Sequence, residues 1–460
     1  PNIFNVVNLD KSQKKTPKTG WHEQTQSFFY SLELGWKSQL FVTTTGRNDW
    51  ASQLANSPQK SFFYPSVGVS WLPSSTFNFP EKFNYLKIRA SWASVANPFP
   101  RELTIATHPY DDTISGWDDK SNYPIGQLYP ERTKTWELGF DARFLHGFTL
   151  SASWYRADTY NQTFNPNLSA SSGYSDIYIQ TGHVRNTGVE ASLGYDHQWK
   201  NWNWNSQFTF SWNKNKIIEL CKEWYNPITE ETITMNRLQI SKLGRAKFIL
   251  KEGGSMGDLY STTDLRRDDK GNIEIDEGGN VVVEDNLPDM KLGSVFPDYN
   301  LAWRNSVSWK NLNLGFLVTA RIGGIVNSLT QANMDLFGVS EATAAARDAG
   351  GALVNGRSLV NPETWYTAIA SQGGIPQYYT YSATNVRLQE LSLGYTIPRK
   401  WLHNVCSITV SFVGRNLWMM YCKAPFDPEA VASTNNFYQG MDYFMMPSTR
   451  NLGFNINIKF

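Results

Sequence analysis

Cysteine is scarce in this sequence: three residues among 460, Cys221, Cys406 and Cys422. They form no CxxC arrangement, so neither a disulfide framework nor a zinc site is indicated. Histidine is also sparse. His22, His108, His146, His183, His197 and His403 are scattered singly, which offers no metal or acid–base cluster. Charge of one sign is missing too. A formal net charge of +1 points to neither nucleic acid nor an acidic substrate. No apolar run reaches the length of a transmembrane helix. Mean hydropathy is −0.43, which is compatible with a membrane β-barrel whose lumen and loops are polar. The opening residues, PNIFNVVNLD, lack the charged start and apolar run of a signal peptide. Either the protein is not exported or its true beginning is missing.

What the chain does have is aromatics, 14% of residues with 18 Trp and 22 Tyr, and period-two alternation. In the last ten residues Leu452, Phe454, Ile456, Ile458 and Phe460 alternate with Asn451, Gly453, Asn455, Asn457 and Lys459. That is a strand with one apolar and one wet face. Segments 24–34, 36–48, 61–72, 82–95, 131–145, 147–160, 185–199, 201–215, 299–309, 312–326, 384–397 and 405–416 read the same way. The first two form a hairpin with its turn near Gly35. In 384–397 the parity slips between Leu388 and Leu391, the mark of a β-bulge. Most of these thirteen segments have ten or more residues. Soluble strands typically have about five or six, whereas tilted membrane strands need roughly nine to eleven.

Connections alternate in length. Long ones cover 48–60, 96–130, 160–184, 216–298, 327–383 and 417–449; short ones lie near 35, 73–81, 146, 200, 310 and 398–404. Short periplasmic turns and long extracellular loops are the habit of outer-membrane barrels. The fold class expected is therefore all-β, a transmembrane antiparallel β-barrel, with residues 1–23 the end of an extracellular loop and 24–460 barrel wall. Thirteen strands is an odd number, and bacterial single-chain barrels have even ones. The chain is accordingly expected to be the carboxy-terminal part of a larger barrel. Trp71, Trp92, Trp154, Trp212 and Trp309, outward and near strand ends, fit aromatic girdles at the bilayer interfaces; in a soluble fold they would pack between two sheets.

Few motifs suggest chemistry. GGSMG (253–257) matches the G-x-S-x-G nucleophile elbow, but no α/β pattern surrounds Ser255. A flexible glycine turn is the simpler reading. The acidic segment 264–285 lacks EF-hand spacing, and its DDKG and EGGN read as hairpin turns. The sequon Asn161–Thr163 carries no meaning in a bacterial membrane. Loop aromatics Trp117, Tyr123, Trp365, Tyr378 and Tyr379 are the candidate ligand-binding residues, stacking on sugar rings or peptide side chains. Packing loop against loop is the alternative. No catalytic residue, metal or cofactor is indicated.

At this point a family resemblance is clear. GRNDW (46–50) followed by SFFYPSVGVSWL resembles a signature of the SusC/RagA-like TonB-dependent transporters of Bacteroidetes outer membranes. So do LKIRASWASV (86–95), ERTKTWELGFD (131–141), NTGVEASL (186–193), FPDYNLAWRNSVSWKNLNLGFLVTARIGG (296–324), NVRLQELSLGYTIP (385–398), GRNLW (414–418) and FDPEA (426–430). ASVANPFP (93–100) departs from the family's glycine-rich strand end. The resemblance implies a plugged 22-stranded barrel of which these are the last thirteen strands; the plug and first strands are absent from this sequence. It further implies uptake of oligosaccharides or oligopeptides with a SusD-like surface lipoprotein, as a possible dimer of such pairs. TonB would supply the energy, through the missing amino-terminal part. It implies no enzyme activity, lipid of the outer membrane around the wall, and Phe460 as a signal to the assembly machinery. Competing readings are a passive porin-like barrel and a soluble all-β glycan-binding protein.

Overall fold

The computed structural model describes residues 22–460 apart from 101–102, 104–109, 112–115, 118–121, 124–127, 165–175, 181, 227–229 and 434–437. The amino-terminal segment read as a loop end therefore lies, but for its last two residues, outside the described part. Thirteen strands build one antiparallel sheet in strict chain order. They are β1 (Thr25–Trp36), β2 (Leu40–Ala51), β3 (Phe62–Trp71), β4 (Phe83–Asn97), β5 (Glu131–Phe144), β6 (Phe148–Tyr160) and β7 (His183–Gln198). There follow β8 (Trp202–Glu219), β9 (Tyr299–Trp309), β10 (Leu312–Ile322), β11 (Asn385–Ile397), β12 (Ser407–Cys422) and β13 (Asn451–Lys459). Among the described residues no helix is long and apolar enough to cross a membrane. The strands, by contrast, run from 9 to 18 residues, enough to span a bilayer when tilted.

Register carries the apolar face across the wall unbroken. Directly opposed residues share a face, and Val42, Val69, Ala90, Leu138, Trp154, Val189, Trp212, Tyr299 and Ile322 follow one another from β2 to β10. A one-residue slip at any seam would turn the next strand's apolar set into the lumen. Two register shifts fall where β11 is irregular, one at Val386/Arg387 and one at Leu388/Glu390. The second is the expected bulge. Aromatic pairs gather near both rims, Trp92 with Trp136 (6.3 Å) at one and Trp202 with Trp309 (5.7 Å) at the other.

The first hairpin corrects one detail of the sequence reading. Its turn lies at Lys37 and Ser38, whose φ values are +50° and +55°, and Gly35 sits inside β1. Pairing Trp36 with Leu40 keeps both apolar side chains on the outer face, and two left-handed residues match the strand twist.

The connections that follow even-numbered strands all leave from one rim and the others from the opposite rim. Five of the six on the first rim are long, but 52–61, at ten residues, is no longer than the eleven-residue 72–82 opposite, so the expected contrast in length fails at that pair. Among the described residues β1 pairs only with β2 and β13 only with β12. Every residue of these two edge strands is exposed.

Candidate functional site

Three of the long loops fold into a canopy at one rim. Segment 220–298 contributes a small antiparallel sheet of Arg237–Leu243, Ala246–Lys251, Asp258–Ser261 and Met290–Ser294. Phe248 and Leu259 of that sheet, Leu329 of segment 323–384 and Met441 of segment 423–450 are buried in one cluster with Val295. A second cluster joins Leu238, Leu250 and Met256 to Val184 and Ile217 on the lumenal face of β7 and β8. The canopy thus rests on the inner wall. Such burial stabilises by roughly 1.5–3 kcal/mol per large apolar side chain.

Ion pairs pin the canopy's polar positions. Arg237 donates to Asp289 through Nε (2.6 Å) and Nη2 (2.8 Å), and Lys251 lies 3.0 Å away. The Arg237 bonds, with help from Lys251 and against burial, hold the Asp289 carboxyl well below the usual carboxylate range. Arg387, on the lumenal face of β11, is 3% exposed and donates to both carboxylate oxygens of Asp427 in the last loop. Glu429 stands 3.3 Å from the same guanidinium. Burial alone would raise the Asp427 carboxyl, yet hydrogen bonds from Arg387 and Ser448 keep it at about 2.

Below the canopy the lumenal wall is hydroxyl-rich. A cavity of about 550 Å³ is lined by Arg89, Ser151, Glu190, Thr209 and Arg321 from the wall, with Glu429 reaching in from the last loop. A second, of about 280 Å³, lies between Asn186, Asn213 and Asn215 of the wall and Met256 and Phe296 of the canopy. Both suit the hydroxyls and amides of a polar guest, with charge of each sign at hand. Among the described residues no group of three or more His, Cys, Asp or Glu is placed to hold a metal ion.

The sequence candidates fall as follows. Trp365 and Tyr378 are half-buried and meet edge to face at 5.9 Å. Tyr379 is 2% exposed, its hydroxyl donating to Asp335 at 3.0 Å, and burial followed by the Asp335 charge pushes that hydroxyl far above the usual phenol range. All three pack in or against the cluster that joins segment 220–298 to 323–384. The backbone of Trp117 pairs with Tyr110, and that of Tyr123 runs parallel to Ile177; both side chains lie outside the described residues. Ser255 sits in a turn, its Oγ donating to Asn215 Oδ1 (3.2 Å) and accepting from the Gly257 amide (3.2 Å). The acidic segment forms two hairpin turns, with Gly271 N–H donating to the Asp268 carbonyl and Asn280 N–H to Asp276 Oδ1. Phe460 is exposed at the end of the last strand.

Two features escaped sequence reasoning, the Arg387–Asp427 tie and the lumenal cavity. A signal for the first existed: an arginine at a lumenal position of β11, two residues from Asn385, and an acidic FDPEA in the next loop. Nothing in the spacing said they meet.

Comparison with known proteins agrees with this architecture. Residues 2–417 match the family described as TonB dependent receptor-like, beta-barrel. TonB-dependent receptor P3 of Formosa agariphila is 27% identical over 473 aligned positions, covering 94% of this chain and 45% of that one. TonB-dependent receptor SusC of Bacteroides thetaiotaomicron is 21% identical, covering 82% and 38%. Among solved structures, the RagAB peptide importer in its open-open state superposes with a TM-score of 0.72 at 17% identity, covering 99% of this chain and 49% of that one. A further structure of the RagAB peptide transporter gives 0.70 at 19%, covering 99% and 50%. The chain spans about half the length of the curated relatives it matches. It belongs to the TonB dependent receptor-like β-barrel family, as an outer-membrane protein that crosses the bilayer with its strands.

Proposed function

We propose that this chain forms part of the wall and extracellular canopy of a TonB-dependent nutrient importer that takes up oligosaccharides or oligopeptides together with a SusD-like surface lipoprotein. The observation that carries the reading is the canopy itself. A passive pore needs an open lumen, whereas here segments 220–298 and 423–450 fold inward until Met256, Phe296 and Glu429 line cavities against the barrel wall. A lumen so roofed suits captured cargo better than free diffusion.

The two exposed edges support a larger cylinder. Each unpaired N–H or carbonyl in hydrocarbon costs several kcal/mol, and β1 and β13 each present a whole row of them. In the membrane further strands would pair both edges and enclose a plug, making these the last thirteen of a 22-stranded barrel. TonB and the lipoprotein enter on family grounds, from the SusC and RagAB relatives. The wall does no covalent chemistry in this account.

The test is accumulation of fluorescently labelled oligopeptides and oligosaccharides by intact cells carrying the full-length protein, with and without a protonophore. Uptake abolished by the protonophore supports energised import. Uptake that continues unchanged after depolarisation would leave a passive porin as the better description.

A further inference from the structure

The outer face of the wall carries an unexpected patch. Above the girdle formed by Trp154 and Trp212, the outward positions of four neighbouring strands turn cationic. The next row toward the canopy pairs Trp136 of β5 with Arg156 of β6, then Thr187 of β7 with Lys214 of β8. One row further on, Lys134, Asp158, Arg185 and Lys216 stand side by side. Five cations therefore surround a single carboxylate. Asp158 is 5% exposed and accepts from Arg156 Nε (2.8 Å), Arg185 Nε (2.7 Å) and His183 Nε2 (2.6 Å). That arrangement holds two guanidiniums flat against the wall, while Lys134, Lys214 and Lys216 are exposed beyond them.

These side chains face away from the lumen. Their neighbours in sequence, Asn186, Asn213 and Asn215, line the inner cavity, so alternation puts Arg185, Lys214 and Lys216 outside. The rows are two residues apart, roughly 7 Å along each strand. The patch therefore begins in the row of Trp136, one row beyond Trp154 and Trp212, at the depth of lipid headgroups. Toward the opposite rim the outward positions of the same strands include Phe144, Phe148, Leu193, Tyr195, Trp204 and Phe208, with one histidine, His197, and no lysine or arginine. The asymmetry argues against a general preference for cations at strand ends.

We propose that this patch is a docking site for the phosphate groups of an anionic glycolipid in the outer leaflet, held by Lys134, Arg156, Arg185, Lys214 and Lys216. Lysine and arginine beside a membrane attract anionic headgroups, and a guanidinium fork fits phosphate oxygens. The site rests on the reading that the canopy rim faces outward from the cell.

The experiment uses the full-length transporter in phosphatidylcholine nanodiscs, with bis-phosphorylated lipid A added and retention measured by native mass spectrometry. Wild type should retain lipid A, and the combined variant K134Q/K214Q/K216Q should retain at least about tenfold less. Phosphate-free lipid A should bind both proteins equally weakly, and excess inorganic phosphate should not displace the lipid. A K200Q variant, at the short-turn rim, should behave as wild type, and unchanged heat-modifiability confirms that the variants fold. Equal retention of lipid A by wild type and the triple variant, or retention of phosphate-free lipid A by wild type as strong as that of the bis-phosphorylated form, would overturn the proposal. Orientation is checked separately by labelling a K423C variant, just beyond β12, on intact cells with an impermeant maleimide. Failure to label would reject the outward-facing rim itself, whereas labelling with unchanged lipid retention would reject only the phosphate site.

Discussion

Arg387 and Asp427 lie forty positions apart and meet as a buried, two-pronged ion pair, a wall strand holding the loop that roofs it. The guanidinium is 3% exposed and the carboxylate 9%. At that depth the partner left behind matters more than the bond lost.

Arg387→Gln should destabilise the canopy by about 3–5 kcal/mol, the usual effect of leaving one partner of a buried pair unmatched. Limited proteolysis is the measurement, with cleavage appearing within 423–450 before the barrel loses its heat-modifiable band.

The same pair sets a pH dependence. Asp427 titrates at about 2 in the fold, below its unfolded value of about 3.9. Its contribution is complete above about pH 4 and disappears as pH falls through about 2. Protease resistance of the last loop should fall across that window in wild type, and Asp427→Asn should show a lower resistance that is flat over the same range.

Tyr379→Phe should cost about 1–2 kcal/mol, because it leaves the carboxylate of buried Asp335 without that donor. Hydrogen exchange should quicken locally, in the helix Leu329–Leu336 and the turn at 375–379, with the wall strands unchanged. Tyr379→Ala should cost about 3–5 kcal/mol by opening a cavity.

Ser255→Ala should change stability by about 1 kcal/mol or less and leave uptake intact, since its hydroxyl serves only the turn around Asn215 and Gly257. Loss of uptake in a folded variant would contradict the structural role.

The wall was legible in the sequence and the canopy was not, for a physical reason. A strand with lipid on one side and water on the other writes period two into every residue, and even the β11 bulge showed as a slipped parity. The helices Leu329–Leu336 and Pro362–Ala370 went unread, although Ser328 and Asn361 cap them. At eight and nine residues they draw their stability from tertiary packing rather than from a strong periodic signal. Likewise Arg387 finds Asp427 through the fold, and no local pattern encodes a partner forty residues away. Among the aromatics, Trp365, Tyr378 and Tyr379 looked alike on the page. Only packing shows that Tyr379 is the most buried of the three and its hydroxyl already engaged.

Alternation of lipid-facing and lumenal residues in the wall is tested most directly by a nitroxide scan along β7. Spin labels placed singly from Val189 to Gly194 in the full-length protein, reconstituted in a bilayer, should alternate. Val189, Ala191 and Leu193 should be relaxed by oxygen dissolved in lipid, and Glu190, Ser192 and Gly194 by a water-soluble nickel chelate. Uniform accessibility along the six positions, or alternation in the opposite phase, would contradict a lipid-facing wall with a polar lumen.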